Sequence, residues 1–414
     1  MLRIILTGLM AILLAGLWTC KPTAKVMSDE ELTQLADSLA HAYIITDGHV
    51  DLPYRMRVKN FQLEKEYLDI AESTEGGDFD YARAKAGGLD APFMSIYVPA
   101  RYQEIRGRSK LEADSLIDIV ERIVGQHPEK FGIATSPAEV EALVAEGKLA
   151  LPMGMENGSP IEDDLANVAH FQARGVRYIT LTHGKDNLIC DSSYDTTRTW
   201  KGLSPFGREV VKEMNRVGIM VDISHVSDDA FYQTMEITQA PAIASHSSCR
   251  AFTPGFERNM NDDMIKRLAE NGGVIQINFG STFIDSVSRS KGDKMRADMR
   301  AWMEANNVSR RDSAFQAYVE AYRKEHGDNY SDVKVVADHI EHVIKLVGVD
   351  HVGFGSDFDG VGDSLPVGLK DVSDYPNLIK ELLKRGYSAE DIEKICYKNV
   401  WRVWSKVQQI AQEA

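Results

Sequence analysis

Cysteine is scarce in this chain: four residues in 414, at positions 20, 190, 249 and 396. With Cys20 assigned to the leader described below, three remain, and an odd number does not build a disulfide framework. Cys190 and Cys249 both follow strand ends, so a bridge between them stays open, but three free thiols are the expected state. Positive charge is also short. Lys and Arg number 47 against 62 Asp and Glu, a formal net charge of −15, which argues against a nucleic-acid partner while leaving carboxylates for divalent cations. Beyond the N-terminus no apolar run is long enough to span a membrane. Solenoid repeats and low-complexity tracts are missing too. What is present, 43% hydrophobic and 26% charged residues, is a globular composition. The length suits one elaborated α/β barrel or two ordinary domains.

The N-terminus reads as an export signal. Arg3 supplies the positive end, and Ile4 to Trp18 is a short, largely apolar run. Leu17-Trp18-Thr19-Cys20 resembles a lipobox, in which the cysteine is lipidated and becomes the new N-terminus; an ordinary signal peptide cut nearby is the alternative. The expected organisation is therefore a signal over 1–20, a polar tether over 21–27 and one catalytic domain over 28–414. The protein is expected to be exported and anchored through Cys20, facing the periplasm or cell surface.

Within the domain, short apolar runs alternate with helical patterns. Strands are expected at 43–51, 91–98, 149–156, 176–183, 219–225, 241–246, 273–279 and 351–357. Helices are expected at about 28–42, 109–125, 137–147, 163–174, 205–217, 227–238, 261–271, 333–347, 371–385 and 389–407. Residues 59–88 show no clean period and read as an excursion over the mouth. Residues 281–332 read as a helical insertion, a lid or dimer-contact element. Eight strands alternating with helices is the count of a (β/α)8 TIM barrel, here of the metal-dependent hydrolase type, whose active residues gather at the C-terminal strand ends.

Polar residues occur at those ends. Two consecutive units end in His225 and His246, so their imidazoles open on one face. The first strand ends in His49-Val50-Asp51, and residues i and i+2 share a face in extended chain. Glu156, His183 and Asp357 end three further strands. Each alone reads equally well as a satisfied loop residue; six strand ends of eight carrying a ligand or acid–base group read as a site. Nitrogen and oxygen donors without thiolate suit a catalytic rather than a structural metal.

The motifs DGHVDLP, GMENG, YITLTH, VDISHVS, PAIASHSS, ERNMNDD and VGFGSDFDG, in this order from residue 44 to the KNVWRVW stretch near 400, resemble the membrane (renal) dipeptidase family, the M19 zinc peptidases. The resemblance implies two zinc ions per chain, dipeptide substrates and a homodimer. Carried over by motif, His49 and Asp51 would hold one zinc, Glu156 would bridge, and His225 and His246 would hold the other. His183 would contact substrate, Arg258 would face its free C-terminal carboxylate, and Asp357 would handle the proton. A metal-bridging hydroxide would attack the peptide carbonyl, with D-residues allowed at the second position. Asn157 stands where the family commonly has glycine, which would alter the pocket wall, and the disulfide cysteines of animal members have no counterparts. The alternative is another binuclear amidohydrolase acting on a cyclic amide, lactone or phosphoester. Such sites often start with His-x-His and bridge through a modified lysine, whereas here the pair is His-x-Asp. A binding protein that kept the barrel but lost catalysis would be expected to lack ligands, and none is missing.

Overall fold

A computed structural model describes residues 27–58, 70–310 and 312–414. The stretches read as an export signal and lipobox lie outside the described residues. The chain enters through the helix Asp29–Ala42, where Ser28 and Glu31 form a reciprocal capping box.

Among the described residues ten strands follow: β1 (Ile45–Val50), β2 (Leu89–Tyr97), β3 (Phe131–Ile133), β4 (Leu149–Leu151), β5 (Met153–Glu156), β6 (Val176–Thr180), β7 (Met220–Asp222), β8 (Ile243–Ser247), β9 (Val274–Ile277) and β10 (Val352–Phe354). Eight of them close a parallel barrel in the order β1-β10-β9-β8-β7-β6-β5-β2, as the alternating pattern implied. The run 149–156, expected as one strand, is two. Pro152 has no N–H to give a ladder; before it, β4 pairs with β3 in a separate small sheet, and after it, β5 joins the barrel. β3 escaped notice because three residues carry no readable period.

The N-terminal end of the barrel is plugged. The last helix, Asn399–Glu413, sends Trp401 and Trp404 against Phe93, Tyr178, Met220 and Val274, and Trp401 Nε1 donates to Thr46 Oγ1 at 3.1 Å. Polar chemistry is thereby left to the other end.

Two expectations for the mouth are refined. The excursion 59–88 ends in a helix, Tyr81–Gly87, capped by Asp80; its residues 59–69 lie outside the described ones. The insertion comprises helices Ser281–Ile284, Ser286–Asn306 and Ser313–His326, and both segments line the cavity above the barrel. Among the described residues no helix is long and apolar enough to cross a membrane, and Cys190, Cys249 and Cys396 are buried free thiols.

Candidate metal centre

Glu156 is the last residue of β5 and is 4% exposed. Its two oxygens face two different groups of donors. Oε2 lies 3.4 Å from His49 Nε2, which is 3.6 Å from Asp51 Oδ1. Oε1 lies 3.0 Å from His225 Nε2 and 3.3 Å from His246 Nε2, and those two nitrogens are 2.9 Å apart. Donors ~2.0–2.1 Å from a tetrahedral metal stand about 3.3 Å from one another, so the second triangle, and the two separations from His49 in the first, have the size of a coordination shell. His49 Nε2 and Asp51 Oδ1 are buried with no hydrogen-bond partner, a costly state that a cation relieves. Gly360 seals this half: a Cβ there would stand 2.1 Å from Asp357 Oδ1 and 2.2 Å from Asp51 Oδ2.

The imidazoles are oriented by neighbours that sequence reading did not single out. Tyr178 Oη donates to Gly48 O at 3.0 Å, so it accepts from His49 Nδ1 at 2.8 Å. The Nδ1–H tautomer follows, and the Nε2 lone pair faces Glu156. Tyr178 reaches across the barrel because Gly154 has no side chain; a Cβ there would lie 1.9 Å from the ring. In the second half Ser245 Oγ donates to Asp222 Oδ2 at 2.7 Å and accepts from His246 Nδ1 at 2.7 Å. His246 Nε2 is thus free by the same logic. A carboxylate amid the apolar run Val221-Asp222-Ile223 was the signal for Asp222; nothing in sequence pointed to Tyr178.

Electrostatics match a cation. Burial opposes the charge of Glu156, but His183, His49, His225 and His246 hold its carboxyl well below the usual range. Burial, above all, keeps His183, His225 and His246 below the ordinary imidazole value; neutral rings have lone pairs to offer. His49 departs in the other direction: burial works against its charge, yet Tyr178, Glu156 and Asp51 draw its pKa well above the ordinary value. That half of the site therefore favours a positive occupant, proton or metal.

Around the two triangles stand the remaining expected residues. His183, packed against Tyr97 and His225, has Nε2 3.6 Å from Glu156 Oε1. Asp357 offers an oxygen within ligand distance of His49 and Asp51. Its Oδ2 accepts from Asn278 Nδ2 at 2.7 Å, while Asn278 Oδ1 accepts from Gly280 N, which fixes the amide. Burial, opposed by His49 and reinforced by Asp51 and Glu156, pushes the Asp357 carboxyl up to about 8. Arg258 is 3% exposed and committed inward: Nη1 donates to Ser247 Oγ at 2.8 Å, and Nη2 to His246 O at 2.8 Å and His225 Nε2 at 3.0 Å. Asn157 does not line the cavity. It adopts φ +79°, which explains why glycine suits this position, and its amide bonds Val98, Ser159 and Asn187. His225 and Asp357 also have positive φ, +68° and +63°, a strained backbone that turns each side chain into the mouth.

The cavity over these residues measures about 1130 Å³. Tyr54, Tyr97 and Tyr194 line it, with Phe256 and Phe283, then Arg289, Met295 and Met299 from the insertion.

A closed (β/α)8 barrel with four nitrogen and oxygen donor residues arranged about one shared carboxylate defines a metal-dependent hydrolase. Comparison with known proteins narrows this. The pattern of the membrane dipeptidase family, peptidase family M19, matches residues 33–414, and the chain belongs to that family, whose members are metallo-dipeptidases. A protein of Schizosaccharomyces pombe named as an uncharacterised dipeptidase is 34% identical over 407 residues, covering 94% of this chain and 86% of that one. Among solved structures, the probable dipeptidase PvdM of Pseudomonas aeruginosa superposes with TM-score 0.76 at 28% identity, over 92% of this chain and all of the other. A Rhodobacter sphaeroides metallopeptidase, solved with a phosphinate mimic of the dipeptide L-Ala-D-Ala, shares the fold with TM-score 0.71 at 24% identity, over 88% and 99%.

Proposed function

We propose that the chain hydrolyses dipeptides bearing a free C-terminal carboxylate, including those with a D-residue second, using two zinc ions. One would be held by His49, Asp51 and Glu156 Oε2, the other by His225, His246 and Glu156 Oε1. The observation that carries this is the division of the Glu156 oxygens between two donor sets. Nitrogen and oxygen donors without thiolate, opening on a cavity, suit catalytic zinc. When bound, such a pair supplies Lewis acidity and a nucleophile at neutral pH.

The protein's own groups do the rest. Neutral His183 reaches the cavity and can donate an N–H to the scissile carbonyl oxygen as charge develops there. Asp357 Oδ1, left free by the Asn278 bond to Oδ2, can carry a proton to the leaving amine. Arg258 supplies the deep positive charge for the α-carboxylate. The names of the dipeptidase relatives, and the mimic bound by the Rhodobacter protein, support the substrate class.

The test is elemental analysis with hydrolysis of Gly-D-Ala and L-Ala-D-Ala. Two metals per chain and cleavage are expected; less than one metal after zinc dialysis, or no cleavage, defeats the reading. Equal hydrolysis of dipeptide amides would remove Arg258 from substrate binding.

The export reading rests on residues 1–20. A lipidated Cys20 would anchor the protein stably, as several acyl chains on one residue do. Cys20→Ser should move it out of the membrane fraction; unchanged fractionation would exclude the anchor.

A further inference from the structure

Arg289 is the cavity-facing cation that the dipeptidase reading leaves unused. It lies in the first turns of the insertion helix Ser286–Asn306, where the helix dipole favours acids over bases, so helix stability does not account for it. Its guanidinium lies 3.4 Å over the face of Phe256, which fixes its direction. The other cations lining the cavity are committed. Arg55 donates to Asp359, Arg296 to Asp293, Arg323 to Asp363 and Lys370 to Leu365 O. Among the described cations lining the cavity, Arg289 is the one whose charged group makes no hydrogen bond; Asp293, at 3.9 Å, is held by Arg296 at 2.5 Å.

Its position relative to Arg258 gives this charge a meaning. Phe256 and Phe283 have ring centroids 5.8 Å apart. Arg289 lies over the first, and Arg258 lies 5.8 Å from the second. Both guanidiniums act on Tyr194, lowering the pKa that burial raises. The two cations thus flank one pair of aromatic rings, Arg258 buried beside His225 and His246 and Arg289 lining the cavity. A residue whose α-carboxylate is drawn toward Arg258 has Phe256, Phe283 and Arg289 as the cavity groups beside that end of the site.

Resting on the dipeptidase reading, we infer that Arg289 selects dipeptides whose second residue carries a carboxylate side chain. The contact is an ion pair, guanidinium to carboxylate, in a partly enclosed cavity, where such bonds exceed neutral ones.

Isosteric pairs test it on the zinc-loaded full chain: L-Ala-Glu against L-Ala-Gln and L-Ala-Asp against L-Ala-Asn, each with the second residue L and D. The acid is expected to exceed the amide in kcat/KM by roughly tenfold. Arg289→Gln should bring that ratio near one, and Arg289→Lys, which keeps the charge, should retain part of it. Metal content and thermal midpoint of the same preparations show whether each variant is folded. A wild-type ratio near one, with dipeptides still cleaved, overturns the inference alone, as does a ratio that survives in Arg289→Gln. Cleavage of no dipeptide overturns the dipeptidase reading and this inference with it.

Discussion

Asp357 shows how surroundings shape a single residue. It follows β10 with φ +63°, a conformation that aspartate tolerates better than most side chains. One oxygen is occupied by Asn278, and burial pushes its pKa to about 8, close to the range where a proton carrier works best. Asp357→Asn keeps the shape and an oxygen for Asn278. We expect kcat to fall by roughly 10²-fold, with both metals retained and KM little changed. Loss of a metal together with activity would place Asp357 among the ligands. Its candidacy was readable in sequence, as an acid ending an apolar strand. Its partner was not, because Asn278 and Asp357 lie 79 residues apart and meet only when β9 and β10 pair.

At the scale of the element, Asp222 joins three strands. Its Oδ1 accepts from the backbone of Ser224 at 3.0 Å and Ser245 at 2.8 Å, and its Oδ2 from Thr180 Oγ1 at 2.5 Å and Ser245 Oγ at 2.7 Å. β6, β7 and β8 are thereby locked together, and Ser245 passes the constraint to His246. Asp222→Asn replaces the Oδ2 acceptor by a donor, so the hydroxyls of both Thr180 and Ser245 must turn. We expect metal affinity, measured by competition with a chelator, to drop about 10–100-fold while the circular dichroism of the barrel persists. Unchanged affinity would reduce Asp222 to a structural clip. Helices were more legible than strand ends. Pro205–Val217 and Val333–Val347 have the expected bounds, because amphipathic spacing and a proline or capping aspartate mark them locally. β7 stops at Asp222, short of His225, because the positive φ at His225 takes the chain out of the ladder.

The whole molecule divides its labour between barrel ends: a tryptophan plug below, the donor cluster and insertion above. Stability should therefore be adjustable from below without touching the site. Asp90, near the start of β2, is raised by burial from 3.8 to about 6, with Lys85 4.0 Å away. For an acid whose folded pKa lies above its unfolded one, the cost is absent below about pH 4, grows as pH rises through 6, and is complete above 7. Asp90→Asn should stabilise the protein by on the order of 2 kcal/mol at pH 7.5 and not at pH 4, read from denaturant midpoints. An equal effect at both would exclude ionisation as the cause. The sequence by itself determined the eight-strand alternation, the insertion and the identity of the donors. Each depends on local periodicity, or on a residue type at a strand end that any parallel barrel carries to the same face. Only the tertiary structure decided that Glu156 splits its oxygens between two triangles, that Tyr178 and Asp222 select the histidine tautomers, and that Arg258 turns inward while Arg289 faces the cavity. Those are distances between residues far apart in the chain, and barrel closure with its twist and side-chain packing sets them.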